Sequence, residues 1–551
     1  MKLFLVVICL FFSANTIGSE NKQAAIATAH PLATQAGFEV LNQGGNAFDA
    51  AIAVSAALAV VEPSGSGLGG GGFWLLHRAS DGFQTMIDGR ETAPSAAHQD
   101  MYIDKNGIIN KRLSLDGPLA AAIPGVPAAL DHLSKKYGQL SLKQTLAPAI
   151  RYAKQGFKVS SQYQKLAGFR VNVLNKSADA QAIFLRNGQV PEINTLIIQT
   201  DLAKTLEHIA EHGRDGFYQG EIAQKLIKGV QNAGGIWTLQ DLHKYQIKER
   251  TPITSSYKDY TITSAALPSS GGIVLSSMLN QLEQLPLSTA DSTQRQHLIV
   301  ETMRRAYFDR SQYLGDDDFI TVATQKLTSK VYAKELADSI NLQHATANIN
   351  LENTDITKGE DTTHFSIIDK EGNRVSATLS INYPFGSGFI AKGTGVLLND
   401  EMDDFSAQVG SANAYGLVGN QANAIEANKR PLSSMTPTFV ENEHRLMIIG
   451  TPGGSRIITM VLLGILDFID GKDAKAIVSQ PRFHHQYLPN KVQVESVGFN
   501  TEDLEKLQQR GHEIKLLNRQ YGNMQVIIQS KSANTLTAAS DPRGEGLSLV
   551  Q

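Results

Sequence analysis

Cysteine is almost missing from this 551-residue chain, with Cys9 the only one. It lies in an opening segment whose features predict removal, so the rest of the polypeptide has no thiol. That excludes disulfides, thiol nucleophiles and cysteine-ligated zinc. A dominant charge is missing too. Lys and Arg number 50 against 53 Asp and Glu, for a formal net charge of -3 and a pI near 6.5. No basic block stands out, which argues against nucleic acid as a partner. Long apolar runs are also absent: Leu3–Phe12 and the alanine-rich stretch Phe48–Val61 are both too short to span a bilayer. A chain with 42% hydrophobic and 19% charged residues is neither fibrous nor wholly disordered.

What is present begins with MKLFLVVICLFFSANTIGS: one lysine, an apolar run, then small and polar residues. That order predicts a secretory signal over residues 1–19, cut between Ala14 and Ser19. A retained interfacial anchor is the alternative. A lipoprotein signal fails, because Cys9 sits inside the run without small residues before it. GFEVLNQGGNAFDAAIAVSAALAVVEP predicts two helices, split at Gly44-Gly45 and stopped at Glu62-Pro63. A hairpin follows, Phe73 to Arg78 and Phe83 to Asp88, turning at Ser80-Asp81-Gly82. The middle, from about Ser114 to Leu342, reads as mostly helical, with capped starts near Ser141 and Thr200-Asp201. A strand pair is expected around Tyr257 to Thr263. Gly359-Glu360-Asp361 reads as a linker, after which strands return. Blocks of strands and helices without βαβ alternation point to an α+β unit with stacked sheets.

The segment DTTHFSIIDKEGNRVSATLSIN is a hairpin around Lys370-Glu371-Gly372-Asn373. A turn centred on Glu371 pairs Thr362 with Ser380, and the period of two puts Asn382 on the same face as Ser380. A threonine hydroxyl needs a neighbouring base before it attacks anything. If the chain is cut between Asp361 and Thr362, the new α-amine supplies one, with a reference pKa of about 8.

Gly453-Gly454 follows a strand and opens a helix, so its amides can hold an oxyanion, though a plain turn is an equal reading. Arg90 can fork onto a carboxylate, yet such an arginine is more often a surface pair. NDEMDDF packs four carboxylates into Asp400–Asp404, suited to an ammonium or calcium but most often solvated. The calcium loop pattern is absent. Gly65-Ser66-Gly67-Leu68-Gly69-Gly70 satisfies GxGxxG, but it follows a helix and precedes a strand, the wrong context for a dinucleotide. His484-His485 is expected at the surface, with no third ligand beside it.

The segments HPLATQAGFEVLNQGGNAFDAAIA, LGGGGF, DGRETAP, DTTHFSIID, LLNDEMDDFS, NKRPLSSMTPT and GTPGGSRIIT, in this order, resemble the gamma-glutamyltransferases. These are self-cleaving N-terminal-nucleophile hydrolases. The resemblance implies a four-layer αββα sandwich formed jointly by a large subunit, 20–361, and a small subunit, 362–551, as a heterodimer. It assigns Thr362 as nucleophile of both processing and catalysis, and Gly453 and Gly454 as the oxyanion hole. Arg90, with Ser433 and Ser434, would bind the substrate α-carboxylate. Glu401 and Asp404 would hold the α-amine, with Asn382 alongside. Ser380 stands where threonine is common and keeps the hydroxyl that contacts the Thr362 amine. Tyr415 resembles the aromatic that gates the lid loop. The implied substrates are glutathione and other gamma-glutamyl compounds, with water, amino acids or dipeptides as acceptors, no cofactor and no metal, in the periplasm. A cephalosporin (glutaryl) acylase of the same fold, a capsule-processing transpeptidase and an inactive secreted binding protein are the alternatives.

Overall fold

Thirteen strands pair antiparallel into two sheets in the computed structural model, which describes residues 22–347, 362–408 and 410–551. The expected signal, the linker and Asp361 lie outside the described residues. Strands are numbered in chain order across both sheets. The first sheet runs, in space, β13 (Leu547–Val550), β1 (Ala25–Thr28), β7 (Thr363–Ile368), β8 (Arg374–Ser380), β2 (Gly71–Arg78), β3 (Phe83–Asp88) and β4 (Lys248–Arg250). The second runs β12 (Thr535–Ser540), β11 (Gln525–Ser530), β10 (Arg445–Gly450), β9 (Thr438–Glu441), β6 (Tyr260–Ser264) and β5 (Ile253–Tyr257). Segments from before and after residue 362 interleave in the first sheet, and in the second β9 from after it pairs with β6 from before it.

Helices cover the outer faces. On the first sheet lie α1 (Pro31–Asn42) and α2 (Ala47–Val61), on the second α3 (Gly271–Glu283), α4 (Ser292–Tyr313) and α5 (Ile457–Ile469). The result is the αββα sandwich. Helix α2 starts where the sequence places it: Asn46 accepts from the Phe48 and Asp49 amides, and Asp49 accepts from the Asn46 amide. All of α2 is buried, and Pro63 prevents its extension. Asp369, in the β7–β8 turn, accepts from the Ala47 amide at 2.8 Å and so ties this helix to the hairpin.

The hairpin register is the expected one: Ile368 faces Arg374 and Thr363 faces Leu379, symmetric about Glu371. Asp369 fixes the turn by accepting from the Glu371 and Asn373 amides. Two details differ from the sequence reading. Strand β2 begins at Gly71 rather than Phe73, because both glycines pair with the end of β8. Thr200 is the first residue of its helix, and Gln199 sits at the cap without a side-chain bond. The strands flanking helix Thr501–Gln509 form a small separate sheet, Val492–Glu495 parallel to Ile514–Leu517. Among the described residues no helix is long and apolar enough to cross a membrane.

Candidate active site

Side-chain parity along β7 decides which way Thr362 faces. Phe365 and Ile367 join the core under α1 and α2. His364 and Ser366 face the second sheet instead: Ser366 Oγ donates to the Gln525 carbonyl at 3.1 Å, and His364 lies against Gly450. Thr362, two residues before His364, shares this inner face. Ser376 and Thr378 do so on β8, and Ser380 ends opposite Thr362 with the two hydroxyl oxygens 3.2 Å apart. Thr362 is 6% exposed and has φ +95°, a region that β-branched residues avoid, so the backbone is strained at this position. Asn382 donates its amide to Ser380 Oγ at 2.8 Å and its side-chain NH₂ to the Asp400 carbonyl at 3.0 Å.

Arg90 ends the run that follows β3 and is 1% exposed, so the surface-pair expectation is wrong. One guanidinium nitrogen lies 2.6 Å from Glu401, another 2.5 Å from Asp404, and Nε donates to the Pro431 carbonyl. Burial opposes the charge, yet Glu401, Asp404 and Glu91 hold Arg90 above its ordinary pKa. The solvated reading of NDEMDDF fails as well. Asp400, Glu401 and Asp403 are buried, because the loop folds into the end of the sandwich. Burial pushes the Glu401 carboxyl well up, with Arg90 pulling against it. Its Oε2 is close to Arg90 but not aligned for a hydrogen bond, and Oε1 has no hydrogen-bond partner among the described residues. A donor arriving there would be satisfied at once. Asp403 is raised to about 6 by burial, against bonds from the Ala414 amide and Ser114.

Gly453 (φ +140°) and Gly454 (φ +56°) make the turn from β10 into a 3-10 segment before α5. Amides at such an N-terminal end have no partner within the helix. A Cβ on Gly454 would lie 2.5 Å from the Tyr415 ring, so that aromatic rests on the turn. Tyr415 is 3% exposed and donates its OH to the Asn382 carbonyl at 2.8 Å. Thr362, Ser380, Asn382, Arg90, Glu401, Asp404, Ser433, Ser434, Tyr415 and Gly454 line one cavity. Gly453 adjoins it through the same turn.

Arg310 was not singled out from the sequence. It lies on α4 behind the cavity, donating to Ser270 Oγ at 3.0 Å and to Ser434 Oγ at 3.1 Å. Burial lowers its pKa. Nothing local in AYFDRSQY marks it, because its significance rests on Ser434, 124 positions away. His484 and His485 are both fully buried, contrary to expectation. They bond Thr459, Gln486 and Asn490, and burial drives the His484 imidazole down to about 3. The glycine run after α2 is explained by packing: a Cβ on Gly69 or Gly70 would sit 2.1 Å from the Leu397 or Ser380 carbonyl oxygen.

A family model described as Gamma-glutamyltranspeptidase matches residues 33–550. The chain belongs to the gamma-glutamyltranspeptidase family. A glutathione hydrolase proenzyme of Escherichia coli (strain K12) is 42% identical to this family member over 95% of the chain and 90% of its own length. Among solved structures, the cephalosporin acylase of Bacillus halodurans superposes with a TM-score of 0.85 at 28% identity, covering 96% of both chains. The gamma-glutamyltranspeptidase of Helicobacter pylori superposes with a TM-score of 0.56 at 40% identity, over 58% of this chain and 92% of its own. This member of the family therefore shares its fold with gamma-glutamyltranspeptidases and with an acylase.

Proposed function

We propose that the chain is a self-processing gamma-glutamyltransferase, exported to the periplasm and cut between Asp361 and Thr362. In processing, Thr362 Oγ1 attacks the Asp361 carbonyl carbon and the peptide nitrogen leaves with a proton, giving an ester. Water then opens the ester, leaving Asp361 with a new carboxylate and freeing the Thr362 hydroxyl beside the α-amine already released. Backbone strain at Thr362 and the Ser380 hydroxyl beside it support this step. The fragments 20–361 and 362–551 remain together as a heterodimer. Thr362→Ala should leave one uncut chain on a denaturing gel. A cut that persists at the same bond in that variant refutes the assignment.

In turnover the Thr362 amine takes the hydroxyl proton as Oγ1 attacks the γ-carbonyl of glutathione or a related compound. The Gly453 and Gly454 amides receive the oxyanion. The proton passes to the leaving amine, and a gamma-glutamyl ester stays on Thr362 until water, an amino acid or a dipeptide accepts the acyl group. Arg90 with Ser433 and Ser434 orients the α-carboxylate, while Glu401 and Asp404, with Asn382 beside them, take the α-ammonium. The observation that carries this reading is the buried Glu401, with Oε1 left without a hydrogen bond in the cavity that holds Thr362.

The likeness to an acylase favours a second reading, in which a glutaryl group is cleaved. A glutaryl group has no ammonium and would leave Glu401 and Asp404 facing each other across a single arginine. Leaving the buried Glu401 Oε1 without its donor costs up to about 3 kcal/mol, so kcat/KM for a gamma-glutamyl anilide should exceed that for the glutaryl anilide by on the order of 10²-fold. Equal values, or a glutaryl preference, would establish the acylase.

A further inference from the structure

The 3-10 turn Glu401–Asp404 sorts its carboxylates by direction. Residues three apart eclipse one another in such a turn, so Glu401 and Asp404 both reach Arg90. Asp403 points elsewhere. It is buried, and the turnover proposed above uses it nowhere. Its Oδ1 accepts from Ser114 Oγ at 2.7 Å, and its Oδ2 accepts from the Ala414 amide at 2.8 Å.

Ala414 belongs to the tip of the loop that lays Tyr415 against the Gly454 turn. The tip is shaped locally: Ala412 pairs with Val418, and Asn413 Oδ1 accepts from the Tyr415 and Leu417 amides, both at 3.0 Å. Such a turn fixes the form of the tip but not where it sits. Its place comes from contacts with the site, one from each of three consecutive residues. Asn413 Nδ2 donates to Asp404 Oδ1 at 3.2 Å, the Ala414 amide to Asp403, and the Tyr415 OH to the Asn382 carbonyl. Gln486 Nε2 adds a bond to the Tyr415 carbonyl at 3.2 Å. Asn413 thus leans on the carboxylate assigned to the α-ammonium, and an arriving donor competes for it. Asp403 does not line the acyl cavity, so its hold on the tip survives the donor's arrival.

We propose that Asp403 is a positioning residue, the anchor that keeps Tyr415 closed over the acyl group while the donor's ammonium occupies Asp404. The proposal rests on the gamma-glutamyltransferase reading and adds the device that encloses its donor. Asp403 touches no reacting atom and acts through Tyr415. Its bond to the Ala414 amide is charge-assisted. Without it the tip opens more often, and a bound donor escapes before it reacts.

The test uses the processed enzyme and a gamma-glutamyl anilide. Asp403→Ala should raise the donor KM by about tenfold, the size of one charge-assisted hydrogen bond, while kcat changes by less than about threefold. Asp403→Asn should keep KM near the wild-type value, because a side-chain amide fits both partners. Its oxygen accepts from Ala414, and its NH₂ donates to Ser114 Oγ, which already lies 3.0 Å from the Lys111 carbonyl that takes its proton. Equal losses in the two variants would assign the effect to charge and overturn the anchor. In a Tyr415→Ala background, Asp403→Ala should add nothing to KM, and multiplied effects overturn the proposal as well. Chymotrypsin gives a readout that needs no substrate: it should cut after Tyr415 several-fold faster in Asp403→Ala than in the wild type or Asp403→Asn. Equal cutting rates overturn the anchor. Should Asp403→Ala fail to fold, Ala414→Pro removes the same bond from the donor side, and an unchanged KM there is equally decisive against it. If the wild-type enzyme cleaves no gamma-glutamyl anilide at all, the failure belongs to the underlying reading, and chymotrypsin still decides the anchor.

Discussion

Arg90 and Arg310 are both buried, but they keep different company. Arg90 faces three carboxylates, whereas Arg310 is held by the hydroxyls of Ser270 and Ser434 and forms no ion pair among the described residues. The fork of Arg90 is already spent on Glu401 and Asp404, so a substrate carboxylate meets a guanidinium that has partners. Arg310 supplies a second positive charge, passed to the cavity through Ser434. Arg310→Met should therefore shrink the preference for a gamma-glutamyl over a 4-aminobutanoyl anilide, which lacks the carboxylate, by roughly tenfold. An unchanged preference in a folded, processed variant would confine Arg310 to structure. His364 carries a prediction about pH. Its imidazole, bonded to Thr378 Oγ1 and Ser366 Oγ, is lowered to about 3 by burial. The unfolded imidazole takes a proton near 6.5, the folded one not until about 3. Its contribution is thus fully present above pH 6.5 and lost as pH falls. By pH 5 that loss is about 2 kcal/mol, and denaturant titrations of His364→Gln should lack this part of the slope.

At the scale of elements, the β7–β8 hairpin and the turn before α5 define the site from opposite sheets. The hairpin could be read from sequence because its register follows from a symmetric turn, Asp369 to Asn373, and a period of two. Helices α1 and α2 were legible for a similar reason: caps and stops are local. The reading went wrong where a residue's environment comes from distant chain. Polar residues such as Arg90, Asp400, His484 and His485 look like surface by composition, yet other elements enclose them and supply their partners. The Gly454 turn shows the same dependence, since its neighbour is Tyr415 from a separate loop. Gly454→Ala adds a methyl that strikes the ring and puts a side chain at φ +56°, costing about 1 kcal/mol or more. Its kcat/KM should fall by one to two orders of magnitude. Combined with Tyr415→Ala, the loss should be smaller than the product of the two single effects, because the clash is gone. A fully multiplicative double variant would show that the ring does not rest on this turn in solution.

For the whole molecule, strand order matters most, and no local pattern announces it. Strand β1, from before residue 362, lies between β13 and β7 from after it, and β8 pairs with β2 across the same divide. Cutting one peptide bond leaves these ladders whole. The processed protein should elute from gel filtration as a single species and melt in one transition, with its fragments parting only in denaturant; separate elution under native conditions would contradict the interleaved sheets. Thr362 gives this arrangement a further meaning. Newly made amino termini are ordinarily the ends that aminopeptidases trim and acetylating enzymes cap. This one would begin at a residue 6% exposed, in mid-sheet and with Tyr415 over the neighbouring turn. The terminus on which the chemistry depends is thereby kept from the scavengers that erode exposed chain ends, and only a reagent small enough to enter as a substrate does can reach it.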